Sequence, residues 1–237
     1  MITTSHLYPI LLVRLNLTNA YQSALSAHGK AMLFLKFLWA ERLWFIMTNQ
    51  EIIEMLKEAE VLLEGHFLLT SGRHSDKYMQ CAKIFQNAKY SVPLCAELVA
   101  KYKDDSIDVV IGPAIGAIQM SYEVGKQLGV KNIFAERENG AMTLRRGFTI
   151  EEGQRVLIVE DVVTTGGSVR EVMELVKECG GVIAGIGSIV DRTGGKIDFG
   201  VPYKSAFSMD ITSYEANECP ICKSGLPLVK PGSRGSK

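Results

Sequence analysis

Residues 156–168 read Val-Leu-Ile-Val-Glu-Asp-Val-Val-Thr-Thr-Gly-Gly-Ser, and they are the most informative part of the sequence about its fold. It opens with four aliphatic residues, which is typical of a strand buried on both faces of a parallel sheet. Two carboxylates and a glycine turn follow, and then apolar residues recur at helical spacing from Val169. A strand, a turn and a helix in this order place the turn at the carboxyl edge of the sheet, where α/β proteins bind ligands.

The turn has the composition of an anion site. Adjacent glycines, Gly166 and Gly167, let backbone N–H groups point inward, and a helix N-terminus adds partial positive charge. The carboxylates Glu160 and Asp161 would repel a bare phosphate, so the pattern favours a phosphate that carries a ribose diol. A nucleoside triphosphatase loop would need Lys before Ser168, and the GxGxxG dinucleotide fingerprint is also lacking. The alternative is a purely structural acidic turn.

The chain around this motif alternates between helices and buried strands. The patterns predict strands at 108–111, 132–135, 155–159 and 182–190, with helices at 94–102, 117–128 and after residue 168, the last ending at 180–181. Such alternation indicates a mostly parallel sheet covered by helices on both faces.

The first 46 residues differ from the remainder. The apolar stretch 31–46 is interrupted by charges and is shorter than the roughly 20 residues of a spanning helix, and it lacks a signal-peptidase site. An orderly pattern starts at Met47, where Thr48 to Glu51 form a capping box. We therefore expect an extension over 1–46 and one domain over 47–237, with a tail after 227 that lies on the surface or frays.

Charge balance and cysteine usage argue against a nucleic-acid-binding protein and indicate a reducing compartment. Lys plus Arg and Asp plus Glu both number 26, which argues against a nucleic-acid surface. Five scattered cysteines indicate reduced thiols in a cytosolic protein. Cys219 and Cys222 have metal-ligand spacing, but no second pair or nearby histidines supply the other ligands of a zinc site, so a plain turn is favoured.

The motifs together resemble those of the type I phosphoribosyltransferases. The 156–168 stretch matches their phosphoribosyl pyrophosphate (PRPP) signature. Segments 68–78, 111–116 and 190–192 resemble the substrate segment, pyrophosphate loop and substrate arginine of orotate phosphoribosyltransferases, and the 219–234 tail resembles that of their Thermus-type bacterial branch. The resemblance implies an α/β fold with a central, mostly parallel sheet flanked by helices, and a small hood formed by N- and C-terminal segments.

The implied reaction transfers ribose 5-phosphate from PRPP to orotate, giving orotidine 5'-monophosphate and pyrophosphate in de novo pyrimidine (UMP) synthesis. The resemblance also implies Mg²⁺ carried by PRPP without an assigned side-chain ligand, a homodimer, a cytoplasmic location, and neither membrane nor nucleic acid as partner. It makes Glu160, Asp161 and Arg137 catalytic, and Thr164 and Arg192 orotate-binding. The PRPP-binding residues it implies are Gly112, Pro113, Ala114, Arg137, Glu160, Asp161, Val162, Val163, Thr164, Thr165, Gly166, Gly167 and Ser168.

The chain departs from the family pattern in the mobile loop, here residues 136–147. Arg137 stands where one loop lysine is expected, while the second lysine and the histidine have no match. Arg145 and Arg146 could supply the missing cation, since arginine suits phosphate. Equally, residues 142–148 could be a hairpin strand with exposed arginines. Thr70 replaces a lysine of many relatives.

Some roles and rival functions stay open. Arg192 could instead form a surface salt bridge with Asp191, and Arg73 and Lys77 could lie in an ordinary solvated loop, while His66 and His74 receive no catalytic role. A purine phosphoribosyltransferase would share the PRPP loop. A non-catalytic PRPP-sensing regulator would keep the fold but needs a basic nucleic-acid surface.

Overall fold

The structure is a computed structural model that describes residues 47–69 and 71–231. The predicted extension over 1–46 and Thr70 lie outside the described residues. No helix in the described ranges is long and apolar enough to cross a membrane.

Five α-helices and eight strands follow one another in these ranges, together with a 3-10 helix at Cys81–Gln86. The helices are α1 (Asn49–Glu58), α2 (Ala88–Lys101), α3 (Ile118–Leu128), α4 (Gly167–Glu178) and α5 (Pro220–Lys223). The strands are β1 (Leu62–Leu68), β2 (His74–Met79), β3 (Val109–Pro113), β4 (Lys131–Glu138), β5 (Ala141–Thr143), β6 (Arg155–Val163), β7 (Val182–Asp191) and β8 (Tyr203–Ser208).

The central sheet has six strands in the order β5-β4-β3-β6-β7-β8. All neighbours in it are parallel except β4 and β5, which form an antiparallel hairpin. The predicted mostly parallel sheet is therefore confirmed. Parallel pairing brings the carboxyl ends of β3, β6 and β7 to one edge.

Side chains of the central strands alternate between two apolar layers. Val110, Leu157 and Val159 pack with α1, α2, α3 and the 3-10 helix on one face. Ile111 and Ile158 pack with α4 on the other. These strand residues are fully buried, and each such side chain stabilises the fold by about 1.5–3 kcal/mol. Burial on both faces explains why the strands read as continuous aliphatic runs.

Several predicted bounds are confirmed, and others shift. Thr48 and Glu51 form the predicted capping box, and Gly129 ends α3 in the left-handed conformation at φ 74°. Helix α2 begins earlier than predicted because the Asn87 side chain accepts a hydrogen bond from the Lys89 N–H and caps it. Strand β6 runs on to Val163, so the acidic pair lies within the strand rather than after it.

A small second sheet and the C-terminal segment form the hood. Strands β1 and β2 pair antiparallel to each other. The Leu68 N–H donates to Val229 O at 2.8 Å, and the Val229 N–H donates to His66 O at 2.8 Å. On the other edge, His74 and Tyr214 exchange two backbone hydrogen bonds. The tail thus pairs with the hairpin at Val229, while residues 232–237 of the predicted tail lie outside the described residues. The expected hood of N- and C-terminal segments is confirmed.

Candidate active site

The carboxyl ends of three parallel strands converge at one edge of the sheet. Val163 at the end of β6 pairs with Asp191 at the end of β7, and Ile111 of β3 pairs with Ile158 of β6. The segments that leave these ends are 114–117, 164–166 and 192–195, so the three predicted ligand-binding segments belong to neighbouring strands.

The loop between β6 and α4 leaves hydrogen-bond donors free. Gly166 has φ 74°, and a Cβ there would meet Ile197 and Phe199 atoms at 2.7 Å, so only glycine fits without displacement. The first three N–H groups of α4 precede its first helical bond, from the Arg170 N–H to Gly166 O at 3.0 Å, and no side chain caps them. Thr164 and Thr165 expose their side chains beside these amides. The loop can therefore surround an anion with N–H and O–H donors.

Glu160 and Asp161 form an acidic pair without a cation. Both side chains are partly exposed but packed among protein atoms on most sides, and neither forms an ion pair with any described residue. Burial raises the pKa of Glu160 to about 9, and the charge of Asp161 and a hydrogen bond with it add to that rise. Burial also raises the pKa of Asp161, although its carboxylate accepts from the Val162 N–H at 2.8 Å. The pair therefore holds a proton near neutral pH, and a cation or hydroxyl donors would stabilise its ionised form.

The loop after β3 lies directly against this pair. A Cβ on Gly116 would lie 3.3–3.4 Å from the carboxylate atoms of Asp161. Gly112 is fixed by packing, since a Cβ there would meet that of Ala117 at 2.7 Å.

The free donors of this loop are fewer than predicted. Pro113 has no N–H, and the Ala114 N–H donates to Ala135 O at 2.7 Å. Among the described residues, the N–H groups of Ile115 and Gly116 have no acceptor. The N–H groups of Ile115 and Gly116, both within the 111–116 segment identified from sequence, are therefore the amides of residues 113–116 that are free to bind an anion.

Arg192 follows β7 and is held by its backbone. Its N–H donates to Val163 O at 2.9 Å, while its side-chain Nε is buried without a hydrogen-bond partner among the described residues. The salt bridge considered for Arg192 and Asp191 is not formed, because Asp191 is 1% exposed and accepts from Thr193, Gly195 and Ser208 instead. The guanidinium is therefore available to a ligand.

The start of the 3-10 helix links these groups in space. Burial raises the pKa of the Cys81 thiol, the charges of Asp161 and Glu160 raise it further, and the charge of Arg192 opposes them. The backbone places the arginine close to the pair, because Arg192 donates its N–H to Val163, two residues after Asp161 on β6.

The loop arginines are all engaged by acidic residues. Arg137 donates to Glu171 on α4 at 2.8 Å and to Gly140 O at 3.2 Å. Arg146 grips Glu136 with two bonds of 2.8 and 2.9 Å, and Arg145 lies 3.4 Å from Glu138. Of the two alternatives for this loop, a hairpin is present, but its second strand covers Ala141–Thr143 and Arg145 and Arg146 lie beyond it.

The substrate segment holds the hood rather than projecting freely. Arg73 donates to Ser213 Oγ at 2.8 Å and to Ser213 O at 2.7 Å, and forms an ion pair with Glu215. Ser75 Oγ donates to Thr212 O at 2.8 Å. The solvated-loop alternative for Arg73 is therefore wrong, because the side chain fastens β2 to the C-terminal segment. Lys77 pairs only with its neighbour Asp76, at 2.9 Å.

The chain matches a known protein family and is similar to proteins of known activity. The phosphoribosyl transferase domain family matches residues 82–218, more than half of the chain. The orotate phosphoribosyltransferase of Caldanaerobacter subterraneus subsp. tengcongensis is 59% identical over 188 residues, which are 79% of this chain and 99% of that protein. That of Thermoanaerobacter sp. strain X514 has the same identity and coverage.

A solved structure is similar in fold. The orotate phosphoribosyltransferase of Mycobacterium tuberculosis H37Rv, in complex with inorganic phosphate, superposes with a TM-score of 0.56 at 24% identity, over 68% of this chain and 95% of that chain. At such low identity the likeness concerns the fold.

Proposed function

The chain belongs to the phosphoribosyl transferase family, among its orotate phosphoribosyltransferases, and on that premise we propose how its residues transfer ribose 5-phosphate from PRPP to orotate. The products are orotidine 5'-monophosphate, a precursor of UMP in de novo pyrimidine synthesis, and pyrophosphate. One observation carries the assignment of roles: the uncapped α4 N-terminus, the acidic pair, Gly116 and Arg192 share one edge of the sheet.

The loop Thr164 to Ser168 binds the 5-phosphate of PRPP. The free amides at the start of α4 and the exposed threonine hydroxyls supply donors, and the helix N-terminus supplies partial positive charge. Gly166 keeps the backbone turned toward the phosphate, because any larger residue would collide with Phe199.

Glu160 and Asp161 face the ribose hydroxyls of the same substrate. Binding to hydroxyl donors and to the cation that accompanies PRPP favours their ionised forms, so their raised pKa values fall on binding. Once ionised, the pair stabilises the positive charge that develops at the anomeric carbon as pyrophosphate departs.

The amides of Ile115 and Gly116 hold the pyrophosphate beside Asp161. Mg²⁺ suits this position because it prefers carboxylate, phosphate and hydroxyl oxygens and retains several waters. When carried in by PRPP, it would neutralise negative charge on the pyrophosphate beside Asp161, without a dedicated cage of side-chain ligands.

Arg192 binds the carboxylate of orotate. A buried guanidinium nitrogen without a partner becomes satisfied when a planar carboxylate meets the fork, which selects an anionic base over a purine. Thr164, exposed at the end of β6, contacts the orotate ring. Orotate arrives already anionic, so the transfer needs no strong base, and the rate comes from positioning and electrostatic stabilisation.

Arg137 is the cation of the 136–147 loop that stands where the family pattern has a lysine. It reaches the pyrophosphate by exchanging its partner Glu171 for phosphate oxygens when the 136–147 loop closes over the site. Closure also excludes water, which would otherwise hydrolyse PRPP. Arg145 and Arg146 are paired within the hairpin and serve its structure.

The working unit is a homodimer in the cytoplasm. An apolar groove between α2, α3 and β4 is lined by Phe85, Ile118, Phe134 and Phe148, and Tyr122 stands 58% exposed beside it. A second copy of the chain would cover this face. All five cysteines are free thiols, which fits a reducing compartment.

The direct test follows the loss of orotate ultraviolet absorbance with PRPP and Mg²⁺, while adenine, guanine, hypoxanthine and xanthine are run in parallel by chromatography. We expect orotate consumption that stops when Mg²⁺ is chelated. Product from a purine alone would refute the assigned base, and no product from any base would refute catalysis.

Asp161→Asn tests the role of the acidic pair. Removing one preorganised electrostatic group lowers turnover by about 10²–10³-fold, and we expect a loss of that order with an unchanged circular dichroism spectrum and melting temperature. Wild-type turnover in this variant would contradict the assignment.

A further inference from the structure

A second cluster of chemically active side chains lies in the hood. His66 is on β1, His74 is on β2, Cys219 is the N-cap of α5, and Cys222 lies within α5. One donor atom from each of the four lies within 4.8 Å of all the others. Among the described residues, no other group of three or more histidines, cysteines and carboxylates converges in this way.

The donor atoms point toward a common centre. Cys219 Sγ and Cys222 Sγ each lie 3.6 Å from His66 Nε2, Cys222 Sγ lies 3.3 Å from His74 Nδ1, and the two histidine nitrogens are 3.0 Å apart. Both histidines and Cys219 are buried, while Cys222 is exposed. Three of the four groups are thus withdrawn from water around a shared point.

The outer contact of His66 sets its tautomer. Its Nδ1 lies 2.8 Å from Leu226 O, and a carbonyl can only accept, so Nδ1 carries the proton. The lone pair of Nε2 then faces the two thiols. Histidines that bind metals are usually oriented in this manner, by donating their other N–H to a backbone carbonyl.

We propose that His66, His74, Cys219 and Cys222 bind one Zn²⁺ ion as a structural site. Zn–N bonds of about 2.0–2.1 Å and Zn–S bonds of about 2.3 Å, arranged tetrahedrally, give separations of about 3.3 Å between nitrogens, 3.5 Å between nitrogen and sulfur, and 3.8 Å between sulfurs. The observed distances between 3.0 and 3.6 Å are close to these values.

The ligand set distinguishes this site from Mg²⁺ and from a catalytic metal. Thiolate and imidazole ligands select Zn²⁺ over the hard cations that prefer oxygen. Four protein ligands fill a tetrahedron and leave no open position for water or substrate, which is the pattern of structural zinc. The site is also independent of the proposed transferase chemistry, because none of its ligands belongs to the acidic pair or the phosphate loop.

A metal-free arrangement explains less of the geometry. His74 Nδ1–H could donate to His66 Nε2 as a simple hydrogen bond. That bond requires neither thiol, yet both sulfurs lie 3.6 Å from His66 Nε2 and Cys222 Sγ also lies 3.3 Å from His74 Nδ1. Thiols form only weak hydrogen bonds, whereas metal binding accounts for all four side chains together.

The ion joins parts of the chain that are distant in sequence. Cys219 and His66 are 153 residues apart, and the hairpin of β1 and β2 is a two-stranded sheet with little stability of its own. Bound Zn²⁺ fastens this hairpin to the C-terminal segment in addition to the hydrogen bonds of Val229 and Tyr214.

The first experiment measures the metal in the full-length protein. Untagged wild-type chain is purified under reducing conditions without chelator, and its metals are determined by plasma mass spectrometry. We expect about one Zn per chain, loss of the metal in Cys219→Ser/Cys222→Ser, and full retention in Cys179→Ser, a matched control at a free cysteine outside the cluster. Wild-type protein without stoichiometric Zn even after dialysis against it, or a double variant that keeps the metal, would overturn the proposal.

Cobalt binding provides a readout that does not require any variant to fold. Chelator-treated wild-type protein is titrated with Co²⁺, and we expect one-equivalent saturation with a thiolate-to-cobalt charge-transfer band and visible bands of tetrahedral Co²⁺. Chelation should also lower the melting temperature of the wild type and of Cys179→Ser. Absence of the charge-transfer band, or a Cys219–Cys222 disulfide in protein purified under reducing conditions, would refute the site.

Discussion

Binding of PRPP should release a proton from the acidic pair. Burial beside Asp161 raises the pKa of Glu160 to about 9. A group with a pKa of about 9 is about 97% protonated at about pH 7.5, and ligand binding that ionises it must expel that proton. The expected release is therefore close to one proton per chain, and the affinity should rise about tenfold per pH unit until the pH reaches about 9.

Titration calorimetry in two buffers measures this release. The binding heat of preformed Mg·PRPP is compared in Tris and HEPES, whose ionisation enthalpies differ, near pH 7.5, where the phosphates of PRPP are already largely ionised. The difference gives the number of protons transferred. Glu160→Gln is the control, since an amide in the same place has no proton to lose. Equal heats in the two buffers for the wild type, or equal release from the variant, would refute the account of the pair.

Three further substitutions test separate parts of the structure. Arg192→Lys keeps the charge but loses the planar fork, so the KM for orotate should rise by about 10–100-fold, corresponding to about 1.5–3 kcal/mol, while an unchanged KM for orotate in steady-state kinetics would contradict its role. Gly166→Ala combines left-handed backbone strain with a steric collision and should lower the free energy of unfolding in urea by about 2–5 kcal/mol. The control is Gly140→Ala, at φ 90° with no neighbour within 4 Å, which should cost about 1–2 kcal/mol. Equal losses in the two variants would show that the collision does not contribute. Tyr122→Arg should convert the proposed homodimer to a monomer in light scattering, and a dimeric mass for the variant would place the interface elsewhere.

The sheet and the glycine turn between β6 and α4 could be predicted from sequence because their signals are local. The aliphatic run within residues 155–163 predicts a buried strand. Gly166 predicts a turn, and in the structure only glycine fits at this position without displacing its neighbours. The order of the strands was not predicted, because β3 pairs with β6 and not only with its neighbour in sequence, β4. The acidic pair was assigned to the site, although β6 extends past it because β7 continues the pairing to Asp191.

The contacts between distant segments could not be predicted. Arg137 meets Glu171 only because the β4–β5 hairpin lies beside α4, a placement without a sequence pattern. The histidines near Cys219 were missed because they lie about 150 residues earlier in the chain, on two strands whose pairing itself was not predicted. The free amides of Ile115 and Gly116 depend on which neighbours accept hydrogen bonds, which no residue pattern records.

The pairing of β1 with Val229 has a consequence for the order in which the protein is completed during synthesis. Chains emerge from the ribosome N-terminus first, so β1 and β2 leave it long before the segment that covers them. The six-stranded sheet can assemble once β8 has emerged, whereas the hood is complete only after Val229 has emerged and paired with β1. A chain that ends between residues 215 and 225 would contain the six-stranded sheet and the Tyr214 pairing but would lack the Val229 pairing, so the β1 edge of its hairpin would be open and should be cut by proteases in preference to the full chain.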